Sequence, residues 1–385
     1  MSLKSKIINK LSYWVSHQKD KLERETYVKS IKDSFDKLPN KEELTKEQIQ
    51  EIQEFFMPLL GYAVPTEWHK YFSARTGNYS KLYIPTSIYK TDIVGRLNVF
   101  QLKRAYTDKN MTDILLPQAK QPKILLKNMN GYFYIDGKPI SLEEALAKCS
   151  DLGDVMLKPS LSSRGNGVRI IHIGKGITNL KGKSLRQVFE DYISDFQLQE
   201  LVHQHKDMAA LNPTSINTIR VLTYRVDMEI VVLYTVVRIG RKGSEIDNES
   251  AGGISTIINS DGTLGKYAYG APGVDKLEQT DSGIRFEGYI IPSYQETLEK
   301  VKQYHLTFPF FKLMAWDIAI DTEGEPMLIE FNMTPDLSQS AFGPAFGEYT
   351  ETIIKEAMSR NNTWSRMFES GLWKHNDHYT NKFTF

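Results

Sequence analysis

MAWDIAIDTEGEPMLIEFNMTPD (314–336) reads as two short strands joined by a turn at Glu323 and Gly324. A two-residue connection there sets Asp317 opposite Glu330. Side chains alternate faces along a strand, so Asp317, Ala319, Leu328, Glu330 and Asn332 point one way, and Trp316, Ile318, Ile320, Met327, Ile329 and Phe331 the other. The first face carries acid and the second is core. Two carboxylates and an amide oxygen on neighbouring strands make a hard-oxygen set suited to Mg2+, an ion that keeps several waters and is usually shared with substrate phosphates. A phosphate-handling site elsewhere in the chain is the expected companion.

The 385 residues, 41% hydrophobic and 25% charged, describe an ordinary globular chain with a substantial core. Lys plus Arg (48) and Asp plus Glu (47) nearly cancel, so net charge points to no nucleic-acid partner and no wholesale membrane attraction. Recognition must be local. The single Cys149 excludes an internal disulfide, and no run reaches the ~20 apolar residues of a spanning helix. The start, MSLKSKIINKLSYW, is basic but lacks the apolar run and small-residue cleavage site of a secretory leader. A cytoplasmic enzyme or binding protein is expected.

From residue 2 to 37 the residues Ile7, Leu11, Trp14, Leu22, Val28, Ile31 and Phe35 recur at helical spacing between charges. Such a helix either packs on the rest of the protein or lies on a membrane surface as a peripheral contact. Thr45 with Gln48 resembles a capping box, opening a second helix expected to end before Pro58. Residues 1–100 form a mostly helical N-terminal region on this reading. Strands are then expected at 123–127, 131–135, 154–158, 168–173 and 198–202, with helices at 142–148 and 181–196. From 215 the pattern turns antiparallel: 219–225 with 230–239, and 253–258 with 264–269. Helices are expected at 295–304 and 349–367.

No Walker loop is present, and LSSRGNG (161–167) precedes a strand where a dinucleotide fingerprint requires a helix. Taken alone, that run reads first as a solvated hairpin loop. Its place after Lys158 alters the balance: a lysine at a strand end, small residues that admit phosphate to the backbone, and Arg164 assemble charge and donors for a triphosphate.

Lys158-Pro159 with this loop, Gln199-Glu200-Leu201-Val202, and Asp317, Glu330 and Asn332 together resemble the ATP-grasp superfamily. The spacing of thirteen residues and then two among the last three is similar to that of the magnesium residues of the D-alanine-D-alanine ligase type. More narrowly, Asn217-Thr218-Ile219-Arg220-Val221, Arg238-Ile239-Gly240, Asp247-Asn248, Gly252-Gly253-Ile254 and Trp316-Asp317-Ile318 resemble the sugar-transfer-associated, hexapeptide-transferase-related ATP-grasp family over roughly 85–345. The resemblance implies an α+β, ATP-grasp fold: two lobes, 101–205 and 206–385, clasping ATP behind the helical region. It implies that Lys109 and Lys158 neutralise ATP phosphates, together with the loop residues Ser160, Ser162, Ser163, Arg164, Gly165 and Gly167. Glu200, Leu201 and Val202 match the hinge that holds adenine, and Asp207 the acid on the ribose. Arg220 and Arg238 would face the γ-phosphate or an anionic acceptor as catalytic groups, while Asp317, Glu330 and Asn332 hold Mg2+.

Plainer readings stand beside several of these. Arg220 and Arg238 are equally ion-pair partners for nearby acids, and Asp247-Asn248 equally turn residues. His203 and His205 alternate as zinc ligands would, but no Cys or third His stands near them. The ligase type also carries an arginine two residues before the metal aspartate, where this chain has Ala315, and a large N-terminal substrate domain that this chain replaces. The function implied is ATP- and Mg2+-dependent joining of a carboxylate to an amine through an acylphosphate, with an amino acid or sugar acid as reactant in surface-polysaccharide biosynthesis. A kinase acting on a hydroxyl, with Asp247 as base, and a nucleotide-binding scaffold without turnover are the competing readings.

Overall fold

The β-rich runs from residue 124 onward pair into two antiparallel sheets. The computed structural model describes residues 21–162, 166–241, 243, 252–272 and 276–360. In the first sheet, β1 (Ile124–Met129), β2 (Tyr132–Ile135), β3 (Lys138–Ile140), β4 (Gly153–Pro159), β5 (Arg169–Gly174), β6 (Ile177–Thr178) and β7 (Phe196–Glu200) lie in the order β3-β2-β1-β7-β4-β5-β6. In the second, β8 (Thr218–Val226), β9 (Glu229–Ile239), β10 (Ile254–Ile258), β11 (Leu264–Tyr269), β12 (Leu313–Ile320) and β13 (Pro326–Asn332) lie in the order β11-β10-β9-β8-β12-β13. The expected hairpins at 219–239 and 253–269 are present as β8 with β9 and β10 with β11.

Two helix boundaries differ from expectation. The helix Lys46–Leu60 opens on the Thr45–Gln48 capping box but runs through Pro58 and stops at Gly61, whose φ of 80° only glycine adopts without strain. A proline in the last turn removes one backbone bond, and the burial of Phe56 and Leu60 outweighs it. The expected helix 181–196 shortens to Leu185–Tyr192, because Ile193 and Asp195 take positive φ and turn the chain into β7. Phe196 thus packs on Phe189, 5.1 Å between ring centroids, from a strand. Helical period alone does not mark such a stop.

Three apolar layers organise the sheets. The first sheet buries Leu126, Val155, Leu157, Ile171 and Leu198 under the helices Leu142–Lys148 and Leu185–Tyr192. One face of the second sheet, with Val221, Val237, Trp316, Ile318 and Phe331, packs on Tyr294, Val301 and Tyr304 of the helix Tyr294–Leu306. The other face, with Leu222, Tyr224, Tyr234, Val236, Leu313 and Ala315, packs on the N-terminal helices through Ile52, Phe56, Ile84 and Leu97 and on the helix Thr350–Ser359 through Ile353 and Ile354. Residues 21–35 are helical and also rest on the protein: Phe35 joins Trp68 and Phe72, and Arg24 Nη2 donates to buried Asp92 Oδ2 at 2.5 Å. Residues 2–20 of the expected amphipathic helix, and 361–367 of the expected tail helix, lie outside the described residues.

The opening hairpin pairs Asp317 with Glu330, as alternation requires, but its register shifts between Asp317 and Ile318. Below that point Ile318 faces Leu328, and the connection spans 321–325, closed by Asp321 N–H to Glu325 O at 3.1 Å; the expected two-residue turn is not formed. Ile329 is the extra residue of a β-bulge. Leu328 therefore joins Trp316 and Ile318 in the core, whereas Met327 and Ile329, expected there, are half-buried. Ala315, wholly buried between Leu222 and Asn332, lies under the N-terminal layer. Ala315→Arg would force a guanidinium into that apolar layer; we expect a loss of ~3 kcal/mol or more, read from the urea midpoint, with wild-type stability refuting this account.

Candidate active site

The face that is apolar at Ala315 becomes ionic two residues later. Asp317 pairs with Arg220 on β8 and Glu330 on β13, while Arg238 lies one strand further on β9. Asp317 is only 2% exposed. Arg220 Nε donates to its Oδ1 at 2.7 Å and Nη2 to its Oδ2 at 2.6 Å, a bidentate fork, and Arg238 Nη1 donates to Oδ2 at 3.3 Å. Burial alone would raise the Asp317 pKa, but the two guanidiniums and a hydrogen bond with Glu330 hold it well below the usual carboxylate range. Both readings of the arginines thus meet here: they pair with an acid, and they also line a cleft of about 770 Å³. Gly240, in the Arg238-Ile239-Gly240 run, permits close backbone approach, since a Cβ there would lie 2.3 Å from Ser215 Oγ.

Glu330 and Asn332 line the same cleft, and Asn332 Nδ2 donates to Glu330 Oε1 at 3.4 Å. Asp317 lies beneath them and is not part of the lining. The Glu330 carboxylate and the Asn332 amide oxygen suit a hard divalent cation such as Mg2+, while both Asp317 oxygens already accept from arginines. Among the described residues no group of three or more His, Cys, Asp or Glu side chains could hold a metal ion, so Asn332 and substrate oxygens would have to complete the shell.

The cleft's other wall comes from the turn at Lys109 and the loop that follows β4. Lys109 and Ser162 line it, and Lys109 Nζ donates to Ser162 O at 2.6 Å while its backbone N–H donates to Ser160 O at 3.0 Å. A short 3-10 turn capped by Asp108 holds Lys109 in place. Lys158 is buried at the end of β4, opposite Gln197 on β7. Burial, then the charge of Lys109, lower its pKa to about 7, against an opposing pull from Glu330. Ser160 Oγ and both amide atoms of Gln197 are buried without a hydrogen-bond partner among the described residues, which suits a polar ligand. Gly167 O accepts from Tyr192 Oη at 2.6 Å, tying down the end of the loop. Ser163, Arg164 and Gly165, like Asp247 and Asn248, lie outside the described residues.

Glu200, Leu201, Val202 and Asp207 do not line this cleft. Glu200 ends β7, half-exposed beside Lys123 at 3.6 Å, and the chain then crosses to the second sheet, where Gln204 bridges Asp321. Asp207 lies in the first turn of the helix Lys206–Leu211, its N–H donating to His205 Nδ1 at 3.2 Å. His205 serves as that helix's cap, and His203 is exposed. Sequence reading missed Lys90, Lys103 and Thr334, which also line the cleft. The lysines stand on helical segments with no motif around them, so nothing in their spacing marks them.

A family model described as sugar-transfer associated ATP-grasp matches residues 89–347. No curated protein matches the chain. Among solved structures the chain is similar to the D-alanine–D-alanine ligase of Bacillus anthracis complexed with ATP, at 13% identity over 69% of this chain and 68% of that one, TM-score 0.36. It is similar to the D-alanyl-alanine synthetase A of Vibrio cholerae, at 11% identity over 66% and 65%, TM-score 0.40. It is also similar to the L-amino acid ligase of Bacillus licheniformis, at 11% identity over 71% and 52%, TM-score 0.35.

The ion cluster and the cleft rim should respond differently to neutralisation. Asp317→Asn leaves two buried guanidiniums uncompensated and should cost about 3–5 kcal/mol, whereas Glu330→Gln, at the rim, should stay within ~1 kcal/mol of wild type in urea unfolding. Because the native pKa of Asp317 is depressed, its contribution is present above the ordinary carboxyl pKa of ~4 and is lost as pH falls through the native value. The gap between wild type and Asp317→Asn should accordingly narrow in acid; a gap constant with pH would rule out the charge as its source.

Proposed function

Because the chain belongs to the sugar-transfer associated ATP-grasp family, we propose that it is an ATP- and Mg2+-dependent ligase that joins a carboxylate to an amine. The observation that carries this reading is the meeting of Lys109, from the turn Lys109–Met111, with Arg220, Arg238 and Glu330 of the second sheet around one cleft, with Lys158 buried at the end of β4 and under the charges of Lys109 and Glu330. Cations on both walls and a hard-oxygen set between them suit a triphosphate. Lys109 and Lys158 draw the phosphates in; Arg220 and Arg238 stabilise charge that develops at the γ-phosphoryl group. Glu330 and Asn332, with Asp317 behind them, would hold Mg2+, which when bound neutralises the β- and γ-phosphate oxygens.

In this reading a substrate carboxylate oxygen attacks the γ-phosphorus and ADP leaves. An amine then attacks the acyl carbon of the acylphosphate, forming an amide and releasing phosphate. The side chains position and neutralise, so no protein nucleophile is required. Leu201 and Val202, on the link between the sheets, would flank the adenine with the backbone of Glu200, and Asp207 would take the ribose. The words sugar-transfer associated in the family's description suit a setting in sugar transfer, and an amino acid or a sugar acid as reactant in surface-polysaccharide biosynthesis is part of the proposal. No helix among the described residues is long and apolar enough to cross a membrane, and a cytoplasmic site of action is part of the proposal.

Incubating the protein with ATP, Mg2+ and a panel of amino acids and uronic acids tests the reading. ADP with an amide product is expected; ADP with a phosphorylated product would make it a kinase, and no ADP in any mixture a binding protein. Glu330→Gln should abolish Mg2+-dependent ADP formation, and full turnover in that variant would remove Glu330 from the site. Binding of ATP should raise the Lys158 pKa from about 7, so ATP affinity should hold below pH 7 and decline above it. Calorimetry at pH 8 in buffers of different ionisation heat should show proton uptake, lost in Lys158→Ala; uptake unchanged in the variant would exclude Lys158.

A further inference from the structure

We propose that the N-terminal helical layer supplies the binding site for the carboxylate substrate, with Lys90 and Lys103 gripping its anionic group beside Thr334. The proposal rests on the ATP reading and adds where the second reactant sits and what chemistry selects it.

Lys90 stands in the π-helical turn Tyr89–Ile93 and Lys103 on the helix Phe100–Thr107, so the sequence separates them, but both line the cleft. They converge on a single residue. Lys103 Nζ donates to Thr334 Oγ1 at 2.8 Å, and Lys90 Nζ donates to Thr334 O at 3.3 Å. Thr334 follows Asn332 by two positions, which sets both ammonium groups at the Glu330–Asn332 end of the cleft, next to the phosphate-transfer end and not at the hinge. Lys90 also pairs with Asp336 Oδ1 at 2.8 Å; the Lys90 side chain is only 17% exposed, whereas that of Asp336 is 70% exposed. An incoming carboxylate can therefore displace a solvated partner from a charge already held in place.

Lys90 leaves the layer that seals the apolar half of the same sheet face, whereas the helix bearing Lys103 packs on that layer through Phe100 and on the opposite core through Leu102 and Tyr106. Tyr89, beside Lys90, is fully packed into the sealing layer, and the Lys90 ammonium lies 5.3 Å from its ring centroid. Burial of Tyr89 on one side and of Leu102 and Tyr106 on the other thus fixes where the two side chains emerge. Two ammonium groups held at one residue, Lys103 at the Thr334 hydroxyl and Lys90 at its carbonyl, select a compact anion, and a cleft of about 770 Å³ shared with a nucleotide limits it to a small molecule such as a sugar acid or an amino acid.

Calorimetric titration of D-glucuronate, L-glutamate and L-lactate, each against its neutral methyl ester or amide, tests the site in the presence of Mg2+ and a non-hydrolysable ATP analogue. At least one acid should bind wild type, with its neutral counterpart tenfold weaker or more. Lys90→Met and Lys103→Met should each weaken that acid tenfold or more, with analogue affinity held within twofold as the check on folding. Lys103→Arg, which keeps the charge, should retain binding. The proposal is overturned if no acid in the set binds protein that holds the analogue, if the neutral forms bind equally well, or if the methionine variants bind the acid as wild type does. Failure of wild type to bind the analogue is a separate result that removes the ATP reading and this site with it.

Discussion

The buried charge cluster of Asp317 with Arg220 and Arg238 is the constraint on which the site depends. It ties β9, β8 and β12 together on one face, at a point where each neighbouring position along the strands is apolar. An aspartate so buried remains ionised only because two guanidiniums oppose it, and those guanidiniums stay in place only because the aspartate is there. The arginines reach the cleft from below as a consequence, pre-set in direction by a bidentate bond. Glu330 and Asn332, one strand over, are left as the oxygen donors that face the open space.

This division of one sheet face explains the helical region that precedes the sheets. Leu222, Tyr224, Leu313 and Ala315 need a cover, and the helices from 46 to 97 with the helix Thr350–Ser359 provide it. Beyond Ala315 the cover ends and the ionic half begins. A ligase-type arginine at that position would point into packed side chains, so Ala315 follows from the layer above it. That layer brings Lys90 to the edge of the cleft, and the helix Phe100–Thr107, packed on both cores through Phe100, Leu102 and Tyr106, brings Lys103 there.

Much of this was legible in the residues. Period-two alternation placed Asp317 opposite Glu330 and Asn332 on their face, because the core demand on Trp316 and Phe331 leaves no other register at that end. It failed at Leu328, since the bulge at Ile329 flips the strand and a bulge is settled by what packs on either side. Lys109 and Lys158 were singled out through their resemblance to a known pattern; Lys109 lines the cleft and Lys158 is buried at the end of β4. The pairing of Arg220 with Asp317 was open until the strands were in register. Lys90 and Lys103 were not legible, because a lysine on a helix looks like any solvated residue until a threonine from a distant strand end meets it.

The sequence by itself determined the strand pattern, the oxygen-rich hairpin and the set of cations, for these depend on local periodicity and residue chemistry. Tertiary structure alone decided which of those charges neutralise one another and which face the cleft. The reason is physical: local pattern assigns a side chain to a face, but its ionisation and its partner depend on burial and on groups brought near by other parts of the chain. Asp317 and Glu330 are both acids on one face of one hairpin. Only the packing of β8 and β9 made the first a buried ion-pair partner and left the second at the cleft.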